Sequence, residues 1–344
     1  MKCVWFIVAQ LTIVSVVRTS GNVIDYFRGT GNCIRAPSTC PNENIVFYLY
    51  TRDTQNNPQV LDPSNIETIK NAKFIEGAEL KVLVHGYTGN KDYAPNPELR
   101  AAYFQQGEYN IITVDWGALA QSPCYLEAAY NVKDVGICAS QLLELVYANN
   151  PAVTLDNTHV IGFSLGAHVA GVLGSSLTSG KLPRLTGLDA ALPLFDKVIN
   201  DKSEIIDSED AEFVDAYHTN QGQRGRVSTF GTVDFYINNG AYQPGCNCNS
   251  SCSHYRAVEY FAESINSEVG FYGTKCISWY LLKYGFCNVN ELESLVLMGE
   301  NISYNLTGVY YSFTNDRKPY AISAGRYYDV DIETDRVDIN CGFL

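Results

Sequence analysis

Basic residues are scarce in this 344-residue sequence: 24 lysines and arginines stand against 37 aspartates and glutamates, and the formal net charge is −13. Nucleic acid and anionic membrane surfaces repel an acidic protein, so we expect neither as an electrostatic partner. Any contact with a lipid surface is therefore expected to be apolar. The 24 tyrosines and 15 phenylalanines could supply that contact, or they could simply fill the core and the rest of the surface.

A long apolar run is also missing. The apolar stretch at residues 3–17 follows Lys2 and is interrupted by Gln10, whereas a membrane-spanning helix needs about 20 apolar residues. Residues 1–20 are therefore predicted to be a secretory signal peptide rather than a membrane anchor. No internal repeat and no linker rich in Pro, Gly or Ser divides the remainder, so residues 21–344 are predicted to form a single domain.

Cysteine, in contrast, is abundant. Ten cysteines remain if Cys3 leaves with the signal peptide, and an even number in an oxidising compartment predicts up to five disulfides. Three glycosylation sequons, which begin at Asn249, Asn301 and Asn305, fit the same compartment. We therefore predict a secreted, extracellular glycoprotein with disulfides among Cys33, Cys40, Cys124, Cys138, Cys246, Cys248, Cys252, Cys276, Cys287 and Cys341.

Short runs of branched apolar residues between turn formers predict buried parallel strands at residues 80–84, 110–114 and 159–161. Apolar residues recur at helical spacing over residues 125–148. A second helix is predicted over 167–177, followed by a strand that ends at Leu188. This alternation predicts an α/β fold with a mostly parallel central sheet flanked by helices.

Two later segments are less regular. Residues 213–236 alternate in polarity, which predicts strands, and a turn at Asn238-Asn239-Gly240 leads into a loop that we expect to be mobile. The charged segment 200–212 is expected to be a solvated loop.

The pentapeptide Gly162-Phe163-Ser164-Leu165-Gly166 lies between a predicted strand and a predicted helix. A serine hydroxyl is a poor nucleophile at neutral pH, so it needs a nearby base and a backbone that projects it from the sheet. The nucleophile elbow of the α/β-hydrolase fold supplies that backbone, with glycines where side chains would collide. We predict that Ser164 is the nucleophile of an ester hydrolase; the alternative is an ordinary glycine-rich turn.

The sequence has only five histidines, which limits the choice of base. In α/β-hydrolases the partners follow the nucleophile in the order Asp, then His. His218 ends a strand-like segment and is expected to be structural, whereas His254 is expected on a loop that could bring it over Ser164. The other three histidines precede or crowd the elbow: His85, His159 and His168.

Asp189 ends an apolar strand at the carboxyl edge of the predicted sheet, so it is the better candidate to orient the imidazole. Other aspartates lie in polar surroundings: Asp196, Asp201, Asp207 and Asp210.

Attack on an ester places negative charge on oxygen, which backbone N–H groups must stabilise. The fold supplies one donor from the residue after the nucleophile, here Leu165, and another from the loop after the third strand, His85-Gly86-Tyr87. Tyr87 is the predicted second donor, although His85 and Gly86 could be turn residues only.

These residues resemble the pancreatic-lipase-like family, and within it the insect lipases and the vespid venom phospholipases A1. The resemblance covers residues 40 to about 322. It implies Ser164 as nucleophile, Asp189 as acid, His254 as base, and the Tyr87 and Leu165 amides as oxyanion hole, with no cofactor. It is carried by Val84-His85-Gly86-Tyr87-Thr88, Val114-Asp115-Trp116, residues 161–171, Thr186-Gly187-Leu188-Asp189, residues 214–219 and residues 231–260.

The chain departs from the family pattern in three places. Ala190 stands where the family usually has proline after the acid. Only Asp207 and Asp210 align with acidic residues that hold calcium in some members, so no metal is predicted. Because only 24 residues follow Tyr320, a C-terminal β-sandwich is not expected. Residues 21–344 are then expected to be one catalytic domain with a short tail after about 322, and the protein is expected to be a monomer without a colipase-like partner.

In this family the lid lies between the cysteines before the base, here Cys246 and Cys252, which are expected to form a bridge. The five residues between them cannot form a helical lid. Short lids and a short loop at 219–230 go with phospholipase A1 or galactolipase activity, because an open site accepts polar head groups. The resemblance therefore implies a phospholipase A1 that acts on phospholipid or acylglycerol at a lipid interface.

Three other functions compete. Cys246, Cys248, Cys252 and His254 could bind zinc, although disulfides are favoured in a secreted chain. Yolk proteins share the fold, have lost the nucleophile and store or bind ligands; the intact candidate residues argue against that function. The third function is that of a triacylglycerol lipase, which would use the same catalytic residues on a different ester substrate.

Overall fold

The computed structural model describes residues 32–195, 197–277, 281, 295–329 and 341. Its α-helices are α1 Ile66–Lys70, α2 Asn96–Gln106, α3 Tyr125–Asn149, α4 Leu165–Ser176 and α5 Ser250–Asn266. Its strands are β1 Val46–Tyr50, β2 Gln59–Leu61, β3 Leu80–Val84, β4 Asn110–Asp115, β5 Thr158–Phe163, β6 Leu182–Leu188, β7 Ala211–His218, β8 Val233–Ile237, β9 Phe271–Lys275, β10 Leu295–Met298 and β11 Gly308–Ser312.

The strands form one sheet in the order β10-β9-β11-β8-β7-β6-β5-β3-β4-β1-β2. The strands from β4 to β11 in this order are parallel, and antiparallel pairs close both edges. The predicted α/β-hydrolase fold with a mostly parallel sheet is confirmed. Parallel strands share one carboxyl edge, so residues that follow β3, β5, β6 and β7 can meet there.

Helices cover both faces of the sheet, which explains why the central strands are apolar along their whole length. Val82 and Val160 pack with residues of α3 and α4 on one face. Leu83 and Ile161 pack with residues of α2 and α5 on the other, because successive strand side chains point to opposite faces. Each such side chain contributes about 1.5–3 kcal/mol through burial. The sheet is therefore a rigid base for its carboxyl edge.

The sequence located most central elements to within two residues. The predicted strand 80–84 coincides with β3, and the predicted helix 125–148 ends one residue before α3 does. The strand predicted at 159–161 is longer at both ends in the structure, where β5 runs over Thr158–Phe163. The helix predicted at 167–177 begins two residues earlier, because α4 starts directly after Ser164.

The expectation that segment 200–212 is a solvated loop is wrong at Ile205, Ile206 and Asp210, and its last two residues belong to β7. Ile205 and Ile206 are buried, and Asp210 is only 4% exposed. The Asp210 carboxylate accepts a hydrogen bond from the Asp207 amide at 2.8 Å. Two adjacent isoleucines gain more from burial against the sheet than the charged neighbours lose, so the chain turns inward there.

Burial raises the pKa of Asp210 from 3.8 to about 8, which makes stability depend on pH. The folded state then binds one more proton than the unfolded state between the two pKa values, so stability should fall as pH rises from about 4 to 8. We expect Asp210→Asn to reduce this loss by about 1–3 kcal/mol. Urea titrations at pH 5 and pH 8 measure it; an equal pH slope in both proteins would contradict the assignment.

The segment 238–249, expected to be mobile, is held by buried hydrogen bonds. The side-chain amide of Asn238 donates to Gln243 Oε1 and to Thr314 Oγ1, both at 2.8 Å. Gln243 in turn donates to the carbonyl oxygens of Thr219 and Ile237. Buried side-chain amides that bond one another thus hold the start of this segment in place without regular secondary structure.

Disulfides tie the described residues together at four places: Cys33–Cys124, Cys40–Cys138, Cys246–Cys252 and Cys248–Cys341. Cys276 is disulfide-bonded as well. Two of the bridges close the segment that precedes α5. Among the described helices, none has the length and apolar character that crossing a bilayer requires.

Candidate active site

Ser164 occupies a sharp turn between β5 and α4. Its φ of 58° and ψ of −122° lie in a region that residues with a side chain rarely adopt. A Cβ at Gly162 would lie 2.2 Å from the Gly166 carbonyl oxygen, and a Cβ at Gly166 would lie 2.3 Å from that of Val84. Only glycine at both positions allows the helix to begin so close to the strand. The turn lifts Ser164 above the carboxyl edge of the sheet.

Asp189 follows β6, the neighbour of β5, and is completely buried. Its Oδ1 accepts hydrogen bonds from the amides of Thr219 and Asn220 at 2.8 and 3.0 Å. Its Oδ2 lies 2.5 Å from Nδ1 of His254. Both oxygens therefore have fixed partners, and the carboxylate can hold the imidazole in one orientation.

His254 is the fifth residue of α5, so the expectation that it lies on a loop is wrong. The Asn249 side chain caps the helix by accepting from the Cys252 amide at 3.0 Å. Ala257, Phe261 and other residues at helical spacing then bury one face of α5 against the sheet. A helix fixes the imidazole more firmly than a loop would. Its ring also contacts Phe163, with 4.6 Å between ring centroids.

The loop after β3 lies against Ser164. A Cβ at Gly86 would lie 2.7 Å from the Ser164 Cβ, so the two backbones are in direct contact. Trp116 fixes this loop, because its amide donates to His85 Nε2 at 3.1 Å and its indole N–H donates to the His85 carbonyl at 2.9 Å. Tyr87 lines the same cavity as Ser164.

Leu165 is the first residue of α4, where backbone N–H groups have no acceptor within the helix. Leu165 directly follows Ser164, and Tyr87 follows Gly86, which contacts Ser164, so the oxyanion role of these two amides stays a prediction.

His218, the other candidate base, is fully buried in a site of its own. Its Nε2 lies 2.8 Å from Asp234 Oδ1, and its Nδ1 lies 3.2 Å from the Arg226 carbonyl oxygen. Tyr236 stacks on the ring at 4.2 Å. His218 is a satisfied structural histidine, as its place at the end of a strand predicts, and it does not line the cavity that contains Ser164.

Ser164 and His254 share one open cavity of about 540 Å³. Five of its fourteen lining residues are tyrosine or phenylalanine, and these side chains can contact an apolar chain. Ser250 and Ser251, at the start of α5, also line it. The segment between Cys246 and Cys252 forms no separate helix, and its last two residues belong to α5. The aromatic wall consists of Tyr87, Tyr93, Tyr125, Phe163 and Tyr255.

The zinc interpretation fails, because Cys246, Cys248 and Cys252 are all in disulfides and offer no thiolate. Over the residues that the structure describes, no group of three or more His, Cys, Asp or Glu side chains is arranged to hold a metal ion.

Sequence reasoning missed the groups that hold the acid in place. Thr219 and Asn220 directly follow β7, and β7 pairs with β6, which Asp189 follows. The signal in the sequence was therefore that all three residues come at the carboxyl ends of neighbouring strands. It also missed Tyr255, whose hydroxyl donates to the Glu98 carboxylate on α2 and joins the two helices. Nothing local in the sequence distinguishes Tyr255 from other tyrosines.

Comparison with known proteins gives a consistent result. A family model described as "Lipase" matches residues 12–320. Pancreatic lipase-related protein 2 of Cavia porcellus is 35% identical over 251 residues, which cover 71% of this chain and 56% of that protein. For pancreatic triacylglycerol lipase of Mus musculus the identity is 31% over 268 residues, with the same coverage.

A third relative, inactive pancreatic lipase-related protein 1 of Homo sapiens, is 33% identical over 260 residues, which cover 68% of this chain and 54% of that protein. The chain therefore spans a little over half the length of these curated relatives.

Proposed function

Because this chain belongs to the lipase family, in its pancreatic-lipase-like group, we propose that it hydrolyses carboxyl esters of lipids with Ser164 as nucleophile. Family membership alone does not establish activity, since one relative is named as inactive. The observation that carries the proposal is the hydrogen bond between His254 and the buried Asp189, at the wall of the cavity that contains Ser164.

The contacts of Asp189 assign the proton positions. A carboxylate only accepts, so Nδ1 of His254 carries the proton and donates to Asp189 Oδ2. Nε2 is then left unprotonated and can take the Ser164 proton as the hydroxyl attacks the ester carbonyl. The amides of Tyr87 and Leu165 stabilise the oxyanion. Collapse releases the alcohol, which takes a proton from His254, and leaves Ser164 acylated.

The second half of the reaction uses the same groups. His254 removes a proton from water as the water oxygen attacks the acyl carbonyl. The tetrahedral intermediate then releases the fatty acid, and His254 returns the proton to the Ser164 oxygen, which regenerates both groups. No cofactor takes part in this scheme.

For the substrate we propose a glycerophospholipid cleaved as by a phospholipase A1. The segment between Cys246 and Cys252 is too short to cover the cavity, so a polar head group can remain in water while an acyl chain contacts the aromatic wall. Triacylglycerol and galactolipid are the alternative substrates. A yolk-protein-like binding role is disfavoured, because the candidate residues of the triad are all present and Asp189 and His254 are hydrogen-bonded.

The protein is proposed to act outside the cell as a monomer at a lipid surface, without a colipase-like partner. Four disulfides among the described residues support an oxidising compartment. The sequon residues Asn301 and Asn305 are exposed and accessible to glycosylation.

The test is fatty-acid release from phosphatidylcholine labelled separately at sn-1 and sn-2, beside triolein. We expect release mainly from sn-1 and slower turnover of triolein, because the open cavity favours a substrate with a hydrated head group. Release from triolein alone would contradict the phospholipase proposal. No release from any ester would contradict the hydrolase proposal as a whole.

A further inference from the structure

The cavity that contains Ser164 has an unusual charge for a protein of net charge −13. Among its lining residues in the described part of the chain there is no aspartate and no glutamate, whereas Arg224 lies at its wall. His254 is the other ionisable basic group there, and it is engaged with Asp189. Arg224 is therefore the one permanently charged group among the described lining residues of the cavity.

Hydrogen bonds fix the backbone of Arg224. Its carbonyl oxygen accepts from the Leu192 amide at 2.7 Å, and its amide donates to Asn220 Oδ1 at 3.2 Å. The next residue, Gly225, touches the acid of the site: a Cβ there would lie 2.3 Å from Asp189 Oδ1. The base of the Arg224 side chain therefore has a fixed position close to the reacting groups.

The Arg224 side chain is exposed at this fixed position. Within the described ranges its guanidinium makes no hydrogen bond and no ion pair. Arg226, two residues on, behaves differently, because it is buried and donates to the Ile206 carbonyl at 2.9 Å. Arg226 thus has a structural role in this loop, whereas the charge of Arg224 is available to a ligand.

The electrostatic influence of Arg224 reaches the aromatic wall. Burial raises the pKa of the Tyr125 hydroxyl, Tyr87 raises it further, and the charge of Arg224 opposes the rise. Since Tyr125 and Tyr87 both line the cavity, the guanidinium acts on the space in which a substrate would bind.

We propose that Arg224 binds the phosphodiester group of a glycerophospholipid and so determines the head-group class that the site accepts. A guanidinium presents paired N–H donors that match two phosphate oxygens. A neutral acylglycerol or galactolipid offers no anion, so it gains nothing comparable from Arg224. The inference rests on the proposed function, because it assumes that the ester of the same lipid reaches Ser164.

A pair of substrates that differ only in the head group tests it. Diheptanoylphosphatidylcholine and 1,2-diheptanoylglycerol carry the same acyl chains, and only the first carries a phosphodiester. We expect Arg224→Gln to lower kcat/KM for the phospholipid by about 10-fold to 100-fold and that for the diacylglycerol by less than about 3-fold. The kcat/KM of Arg224→Lys for the phospholipid should lie between those of the original protein and Arg224→Gln, because lysine keeps the charge without the paired donors.

The matched control is Arg317→Gln, which removes the same charge from a side chain that is 89% exposed. This substitution should leave kcat/KM unchanged for both substrates. Equal losses on the two substrates in Arg224→Gln would overturn the proposal, and so would an unchanged rate with the phospholipid.

A binding measurement separates this inference from the proposed chemistry. In the Ser164→Ala protein, calorimetry with dodecylphosphocholine below its micelle concentration should show affinity about 10-fold weaker when Arg224→Gln is added. The neutral detergent octyl glucoside should bind both proteins equally. Unchanged affinity for dodecylphosphocholine would overturn the role of Arg224, even if the wild-type protein hydrolyses esters. If the affinity falls as expected but the wild-type protein cleaves no ester, only the proposed hydrolase function fails.

Discussion

Replacement of Ser164 by alanine should lower kcat for ester hydrolysis by about 10⁵-fold to 10⁶-fold, because no other group in the elbow can form the acyl-enzyme. Alanine keeps the Cβ of serine and adds no atom at this φ of 58°, so the fold should be unchanged. Fatty-acid release from the preferred substrate measures the effect, and circular dichroism of the two proteins verifies the fold.

The control is Ser251→Ala, the same substitution at an exposed serine that lines the same cavity. It should retain activity within about threefold of the original protein. Activity of Ser164→Ala equal to that of Ser251→Ala would show that the nucleophile has been assigned wrongly.

Asp189→Asn should lower kcat by about 10⁴-fold while KM changes little. The amides of Thr219 and Asn220 both donate to Oδ1, so the asparagine oxygen will stay with them. Its NH₂ group then faces Nδ1 of His254 and donates to it, which moves the imidazole proton to Nε2. A protonated Nε2 cannot accept the Ser164 proton, so the base is lost although the ring stays in place.

Steady-state kinetics and a direct assignment of the His254 ring proton by NMR measure this prediction. Asp316→Asn is the matched control, since that side chain is 67% exposed and is not among the residues that line the cavity. Full activity in Asp189→Asn, or an imidazole proton still on Nδ1, would contradict the role given to the carboxylate.

The parallel strands were predictable because their signal is local. Residues 80–84 are buried on both faces, so the run is apolar throughout and its ends are marked by turn formers. The elbow was predictable for a similar reason: Gly162 and Gly166 are required within a few residues of Ser164. Segment 200–212 was misjudged because its charges outnumber the two isoleucines that decide its position.

Interactions between distant parts of the chain could not be derived from local patterns. Asp189 and His254 are 65 residues apart in sequence, and their contact depends on the packing of α5, in which Phe261 contacts Tyr217 of β7. His218 and His254 are equivalent candidates by chain order. The structure distinguishes their surroundings, because His218 is bonded to Asp234 and His254 to Asp189.

The sequence by itself thus determined the α/β fold and the elbow with Ser164, since both depend on residues that are neighbours along the chain. The family resemblance already implied that Asp189 pairs with His254; only the tertiary structure showed the hydrogen bond between them, that His254 lies on a helix, and that Arg224 lines the cavity. Each of these depends on how the elements that follow β6 and β7 come together at the carboxyl edge of the sheet, and burial against the sheet controls that arrangement.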